Sequence, residues 1–256
     1  MNERVKKWGI IGKSLGITGV LVIFRLIFDF AQLDIIALTT LLTAFIGGAI
    51  FTVAIIFTGT LADFKESEKI PGDLASSLLT VFQDSRLLRP ADNPLALRLQ
   101  EGIRRLHGQI VSNFRANTYG NREIRETIAG MNEAIYELAD RNAPPQYLVK
   151  LRAELASIDR TVQRVRTISE TSFIPAAYAI AELAVAGVVL LLFFVKLDPF
   201  YEGLIMFTVL VSLLVSILLL IRDMDNPFEY GRKSFADVDF SPLFELGEHL
   251  GGSPPP

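Results

Sequence analysis

Four ionisable side chains lie inside otherwise apolar stretches of the sequence: Lys13, Arg25 and Asp29 in the first stretch and Glu182 in the third. A charge surrounded by apolar material is costly, so each of these groups demands a partner or a water-filled cavity. Arg25 and Asp29 are four residues apart, a spacing that brings two side chains onto one helix face and predicts a local pair. If both stretches are helices rising about 1.5 Å per residue, Lys13 and Glu182 fall at comparable depths. They are then expected either to pair across helices or to line a watery path, as a transporter would use them. Little other chemistry is on offer. The two histidines, His107 and His249, are far apart, there is no cysteine, and no phosphate-cradling glycine loop or serine–base pair occurs at motif spacing. Catalysis and metal binding both need several convergent groups, so the sequence predicts no enzyme, no metal site and no cofactor.

The elements that must hold these residues follow from where the apolar side chains gather. The chain of 256 residues is 50% hydrophobic and 21% charged, with a net charge of −3. Its apolar residues fall in four blocks, 8–30, 35–60, 173–195 and 203–221. Each approaches the ~20 residues that carry a helix across a bilayer. This distribution excludes a purely soluble enzyme. The lack of cysteine excludes a disulfide-stapled module, and the charge balance excludes a strongly basic nucleic-acid binder. Basic residues cluster before the first block (Arg4, Lys6, Lys7), after the second (Lys65, Lys69), before the third (Arg160, Arg164, Arg166) and after the fourth (Arg222, Arg232, Lys233). The opposite links carry only Lys196. Lys and Arg favour the cytoplasmic side, so both termini and the middle of the chain are expected in the cytoplasm of a bacterium, with the spans in its plasma (inner) membrane. Lys13 and Arg25 interrupt the first block and no small-residue cleavage pattern follows, which favours a retained helix over a signal peptide.

The expected fold is all-α, with four transmembrane helices and a cytoplasmic helical domain inserted between the second and third spans. In residue ranges, 1–61 carries spans one and two, 62–172 the helical bundle, 173–221 spans three and four, and 222–256 a cytoplasmic tail. Within the bundle, Leu95, Leu99, Ile103, Leu106, Ile110 and Phe114 step by three or four and place one apolar stripe on a helix. Asn93-Pro94 offers its N-cap and first turn. A second stripe runs Ile124, Ile128, Met131, Ile135, Leu138 after a capping Asn121, and Pro144-Pro145 then breaks the chain. A third runs Leu148, Leu151, Leu155, Ile158, Val162, Val165, Ile168 and leads toward span three. Such narrow seams favour association of three helices, with one another or with neighbouring subunits, over a large self-contained core. The tail 251–256 reads as disordered.

Span two differs from the others because it holds no charge from Ile35 to Leu61. One face at helical spacing reads Leu41, Phe45, Ala49, Thr52 and Ile56, with Gly47-Gly48 alongside. Two readings remain open. Small residues let helices approach closely while threonines bond back to the backbone; alternatively, apolar rings repeated around a symmetric assembly form a constriction that gates by dewetting.

After the fourth span, Asp225, Asn226 and Pro227 favour a helix stop, and Phe228 is placed to dock on the bundle. The segments 57–71 (FTGTLADFKESEKIP) and 220–231 (LIRDMDNPFEYG), with two spans, a helical insert and two further spans between and around them, resemble the bestrophin-like domain family of bacterial membrane proteins. The resemblance covers roughly residues 35–245. It implies a homo-oligomeric, pentameric, anion-conducting channel whose second span lines a hydrophobic neck, with Leu41, Phe45 and Ala49 at the neck positions. Ala49 is small where related necks are aromatic. Asn226-Pro227-Phe228 matches the element that follows the last span in bestrophins, but Asp237 and Asp239 are separated and do not supply the six to eight oxygens that calcium takes. The expected partners are the lipid bilayer, further copies of the chain and inorganic ions, with no nucleic acid. A membrane-anchored helical scaffold or signalling protein without conduction is the alternative.

Overall fold

The computed structural model describes residues 3–88, 93–141, 143–170, 175–225, 227–229 and 236–251. Among these, the chain is all-α: α1 Glu3–Phe30, α2 Thr40–Ser67, α3 Ile70–Leu87, α4 Pro94–Ala116, α5 Arg122–Asp140, α6 Pro145–Glu170, α7 Pro175–Phe194, α8 Phe200–Met224 and α9 Ser241–His249. Four helices are long and apolar enough to cross a membrane, namely α1 from Trp8, α2, α7 and α8. The chain divides into two compact units. The first comprises 1–64, 172–225 and 233–236; the second comprises 65–171, 226–232 and 237–256. The expected disordered tail lies outside the described residues, apart from Gly251.

The first unit holds α1, α7, α8 and most of α2, and its surface is inverted relative to a water-soluble bundle. Trp8, Leu15, Val20, Ile23, Phe24 and Ile27 of α1 are exposed, whereas its buried residues from Trp8 onward are Ser14, Thr18 and Arg25. Large apolar groups outward and small or polar groups inward is the arrangement a helix takes in lipid, where interhelical contact gains nothing from hiding leucine. Ala49, Val53 and Ile56 of α2 share a core with Ala181, Val185 and Val188 of α7 and Phe207, Val211 and Leu214 of α8.

Residues 35–39, expected to start span two, are not helical. Ile36 instead pairs with Val195 in an isolated parallel bridge. Its amide donates to the Phe194 carbonyl and its carbonyl accepts from the Lys196 amide, both at 2.8 Å. The carbonyls at the end of α7 have no partner within their own helix, and the α1–α2 link supplies one. The bridge therefore takes the place of the first helical turn.

In the second unit, the three predicted stripes are buried almost completely, with Leu99, Ile103, Leu106, Leu151, Leu155 and Ile158 at 0% exposure. Burying a side chain of this size contributes about 1.5–3 kcal/mol. The cap on α4 is as expected: the Asn93 side chain accepts from the Leu95 amide at 3.0 Å with Pro94 in the first turn. At the other end Asn117 turns left-handed, at φ 52°, so that its amide and that of Thr118 reach carbonyls of the last turn. Asn121 occupies the N-cap position of α5, but its side chain makes no capping bond.

Two expectations are corrected here. The stripes close into one contiguous core rather than a set of narrow seams, and that core includes helices not anticipated, α3 (Leu74, Leu78, Val81) and α9 (Leu243, Leu246). Gly102 of α4 packs against the Met131 side chain of α5, where an added Cβ would lie 2.6 Å from Met131 Cγ.

Candidate functional site

Helix α2 has two faces. Leu42, Ala49, Val53, Ile56, Thr60 and Phe64 are buried. The other side, through Leu41, Ala44, Gly48, Phe51, Ile55 and Thr58, is exposed in the protomer. The five sequence-selected residues are divided between these faces. Leu41 is 81% exposed and Phe45 46%, Thr52 is half-buried, and Ala49 and Ile56 turn inward to the shared core. The Phe45 ring leans toward α7, where a Cβ on Gly187 would stand 3.7 Å from its Cζ.

Three hydroxyls of α2 bond back to the helix's own backbone: Thr52 donates to the Gly48 carbonyl at 2.9 Å, Thr58 to Ala54 at 2.8 Å and Thr60 to Ile56 at 3.0 Å. Each thus presents a methyl rather than a free donor to its surroundings. Gly47 and Gly48 face open space within 4 Å of where a Cβ would be. The exposed face is therefore chargeless and locally bare down to the backbone.

The intramembrane charges are arranged differently from either predicted pair. Glu182 accepts from Arg222, with Arg222 Nη2 to Glu182 Oε1 at 2.6 Å, and so joins α7 to the end of α8 rather than pairing with Lys13. Arg25 donates through Nη2 to the Val195 carbonyl at 2.8 Å, not to Asp29, which is half-buried one turn further on. Glu182 thus meets a cation on the helix that follows its own, and Arg25 a carbonyl at the end of α7, and neither is the partner that spacing or depth suggests. Arg222 lies in the last turn of a span joined to α7 by a short link, and that position is the sequence signal for its pairing with Glu182. The Val195 carbonyl carries no sequence signal. At the same end of α8, the Tyr178 hydroxyl donates to Asp225 Oδ1 at 2.7 Å and Asp223 Oδ2 accepts from the Ala236 amide at 2.8 Å.

Asn226 lies outside the described residues. Beyond it, Pro227 and Phe228 belong to the second unit. Phe228 is 0% exposed, with its ring centroid 6.0 Å from that of Phe114 and 6.5 Å from that of Phe240. Its carbonyl accepts the Tyr119 hydroxyl at 2.9 Å, and the Pro227 carbonyl accepts the Val238 amide at 3.1 Å. Burial pushes the Tyr119 phenol above its ordinary pKa, with the Glu229 carboxylate adding to the rise and a hydrogen bond with Ser169 opposing it. His107 is spent on structure, with Nε2 2.8 Å from the Leu243 carbonyl. Among the described residues no group of three or more His, Asp or Glu could hold a metal ion.

Four membrane-length helices, with a helical unit built between the second and third, define a polytopic α-helical membrane protein. The same fold is found in a bacterial Bestrophin homolog from Klebsiella pneumoniae solved by Zn-SAD phasing, at TM-score 0.73 and 15% identity over 95% of this chain and 100% of that one. A leucine-to-threonine mutant of a bacterial Bestrophin homolog from Klebsiella pneumoniae gives TM-score 0.76 and 14% identity over 94% and 97% of the two chains. No protein-family model matches the chain, and no curated protein matches it by sequence. The fold is thus bestrophin-like, as the segments 57–71 and 220–231 implied.

Proposed function

We propose that the protein is a homo-oligomeric ion channel of bestrophin type, not an enzyme, in which copies of α2 surround the conduction path. The observation that carries this reading is the exposed face of α2, chargeless along its membrane-spanning length and bare at Gly47 and Gly48. Apolar rings repeated about a symmetry axis make a narrow, poorly wetted neck. Leu41, Phe45 and Thr52, together with Gly48 and Ile55 beside them, form the lining arc. Ala49 and Ile56 support it from within the protomer. The uncharged arc leaves the sign of the permeant ion to the vestibules, and the family resemblance favours inorganic anions and a pentamer. The clustering of Lys and Arg favours the bacterial inner membrane with both termini and the helical unit on the cytoplasmic side.

The test is ion flux through the purified protein in liposomes, alongside the oligomer mass in detergent. Wild type is expected to conduct. Phe45→Ala, which opens the arc at a residue already half exposed, is expected to change the unitary conductance several-fold without changing the oligomer mass. A monomeric protein, or no flux under any tested gradient or voltage, would favour the non-conducting scaffold.

A further inference from the structure

The buried face of α1 is polar. Ser14, Thr18 and Arg25 are 0%, 1% and 0% exposed, and their spacing of four and seven residues puts them in one line along the helix. Ser14 is satisfied by the Ser212 carbonyl of α8 at 2.9 Å. The other two are not. Thr18 Oγ1 is buried without a hydrogen-bond partner, as are Nε and Nη1 of Arg25. The one bond Arg25 makes, through Nη2 to the Val195 carbonyl, is to a neutral acceptor. Asp29 is the obvious counter-charge, yet neither orphaned nitrogen engages it.

A guanidinium keeps its charge when desolvated, and its five N–H donors make it a receptor for anions. Buried charges in proteins are paired. Here the cation is enclosed among membrane helices with two of three nitrogens unengaged and no carboxylate on them. We propose that Arg25 holds a small monatomic anion of the halide class inside the membrane-spanning bundle, bound at Nε or Nη1. Nε and Nη1 are fully enclosed, so the smallest anions are the candidates and bulky gluconate serves as the reference. The bound anion neutralises Arg25 and so secures the bond to Val195 that ties α1 to the end of α7, beside the Ile36 bridge.

The test uses the full-length protein in detergent. Chloride is titrated against gluconate at constant ionic strength while the melting midpoint is followed. A site specific to the folded state gives a rise of ~4 °C at tenfold the dissociation constant, which continues with the logarithm of chloride concentration. Arg25→Gln is expected to abolish the difference between the two salts. Crystals grown in bromide are expected to give an anomalous peak within contact of Arg25 Nε or Nη1. Equal midpoints for wild type in chloride and gluconate overturn the proposal, since water would then satisfy the nitrogens. A salt difference undiminished in Arg25→Gln, or a bromide peak only elsewhere, also overturns it. If Arg25→Gln does not fold, the wild-type titration and the bromide position decide by themselves. Neither readout measures conduction, so this site and the channel reading fail separately.

Discussion

Replacing Phe228 by alanine is the sharpest probe of the element after the fourth span. The ring is fully enclosed and flanked by Phe114 and Phe240. Truncating a buried phenylalanine costs about 3–5 kcal/mol, part of it from the cavity left behind, and the lost aromatic neighbours fall within that figure. The damage should be local to the second unit, because every described partner of Phe228 belongs to it: Phe114 on α4, Tyr119 just after it, and Phe240 just before α9. Hydrogen exchange resolved by segment is the fitting assay, since it reads the opening free energy of each part separately. At 1.4 kcal/mol per factor of ten, a loss of ~3 kcal/mol raises exchange about a hundredfold. That rise is expected in α4 and in residues 237–251. Tyr136, 72% exposed on α5, gives the control, and Tyr136→Ala should leave the same amides within about twofold. A Phe228→Ala protein whose α4 and α9 amides exchange less than threefold faster would refute the docking argument, because the ring would then be contributing little despite its burial.

Two further outcomes follow from the same geometry. Tyr119→Phe removes the hydroxyl that donates to the Phe228 carbonyl and should cost about 1 kcal/mol near neutral pH. It should also blunt an alkaline loss of stability: the folded phenol holds its proton above pH 10, where the unfolded chain has released it. The folded state then binds more protons, and stability falls as pH rises through that window, so the urea midpoint should drop further between pH 9 and pH 11 for wild type than for the variant. Glu182→Gln should leave any ion flux equally insensitive to a proton gradient, because Glu182 is committed to Arg222. Flux that is proton-coupled in wild type and uncoupled in Glu182→Gln would instead support the transporter reading.

The helical unit was legible because amphipathic helices advertise their inner face. Every third or fourth position from Leu95 to Phe114 is apolar amid charge, and those positions are the buried ones. The same signal runs through Ile70, Leu74, Leu78 and Val81, and it predicts α3 once the turn at Pro71 is read as a first-turn proline rather than a break. Span two offers no such contrast. When every position is apolar or small, periodicity is silent, and the division of Ala49 and Ile56 from Leu41 emerges only when α7 is present to cover one side. Arg25 illustrates a different limit. The rule for residues four apart names side-chain partners on one helix, whereas its partner is a backbone carbonyl 170 residues away, and carbonyls have no letter in the sequence.

The first unit also bears on how copies would meet. Gly47 and Gly48 of α2 are not the only glycines open to the outside, since Gly12, Gly16 and Gly19 of α1 likewise face nothing within 4 Å of an added Cβ. Bare backbone on a membrane helix is poorly covered by lipid chains and well covered by another helix, which is why small residues mark helix–helix contacts in bilayers. A closed ring needs two different patches per subunit, because each subunit meets its neighbours through opposite sides. A single self-complementary patch would stop at a dimer. The glycine face of α1 offers one such patch, while Gly48 of α2 is left to the lining arc, and the proposed channel needs a ring, since no single protomer of four spans can enclose a path lined by its own α2.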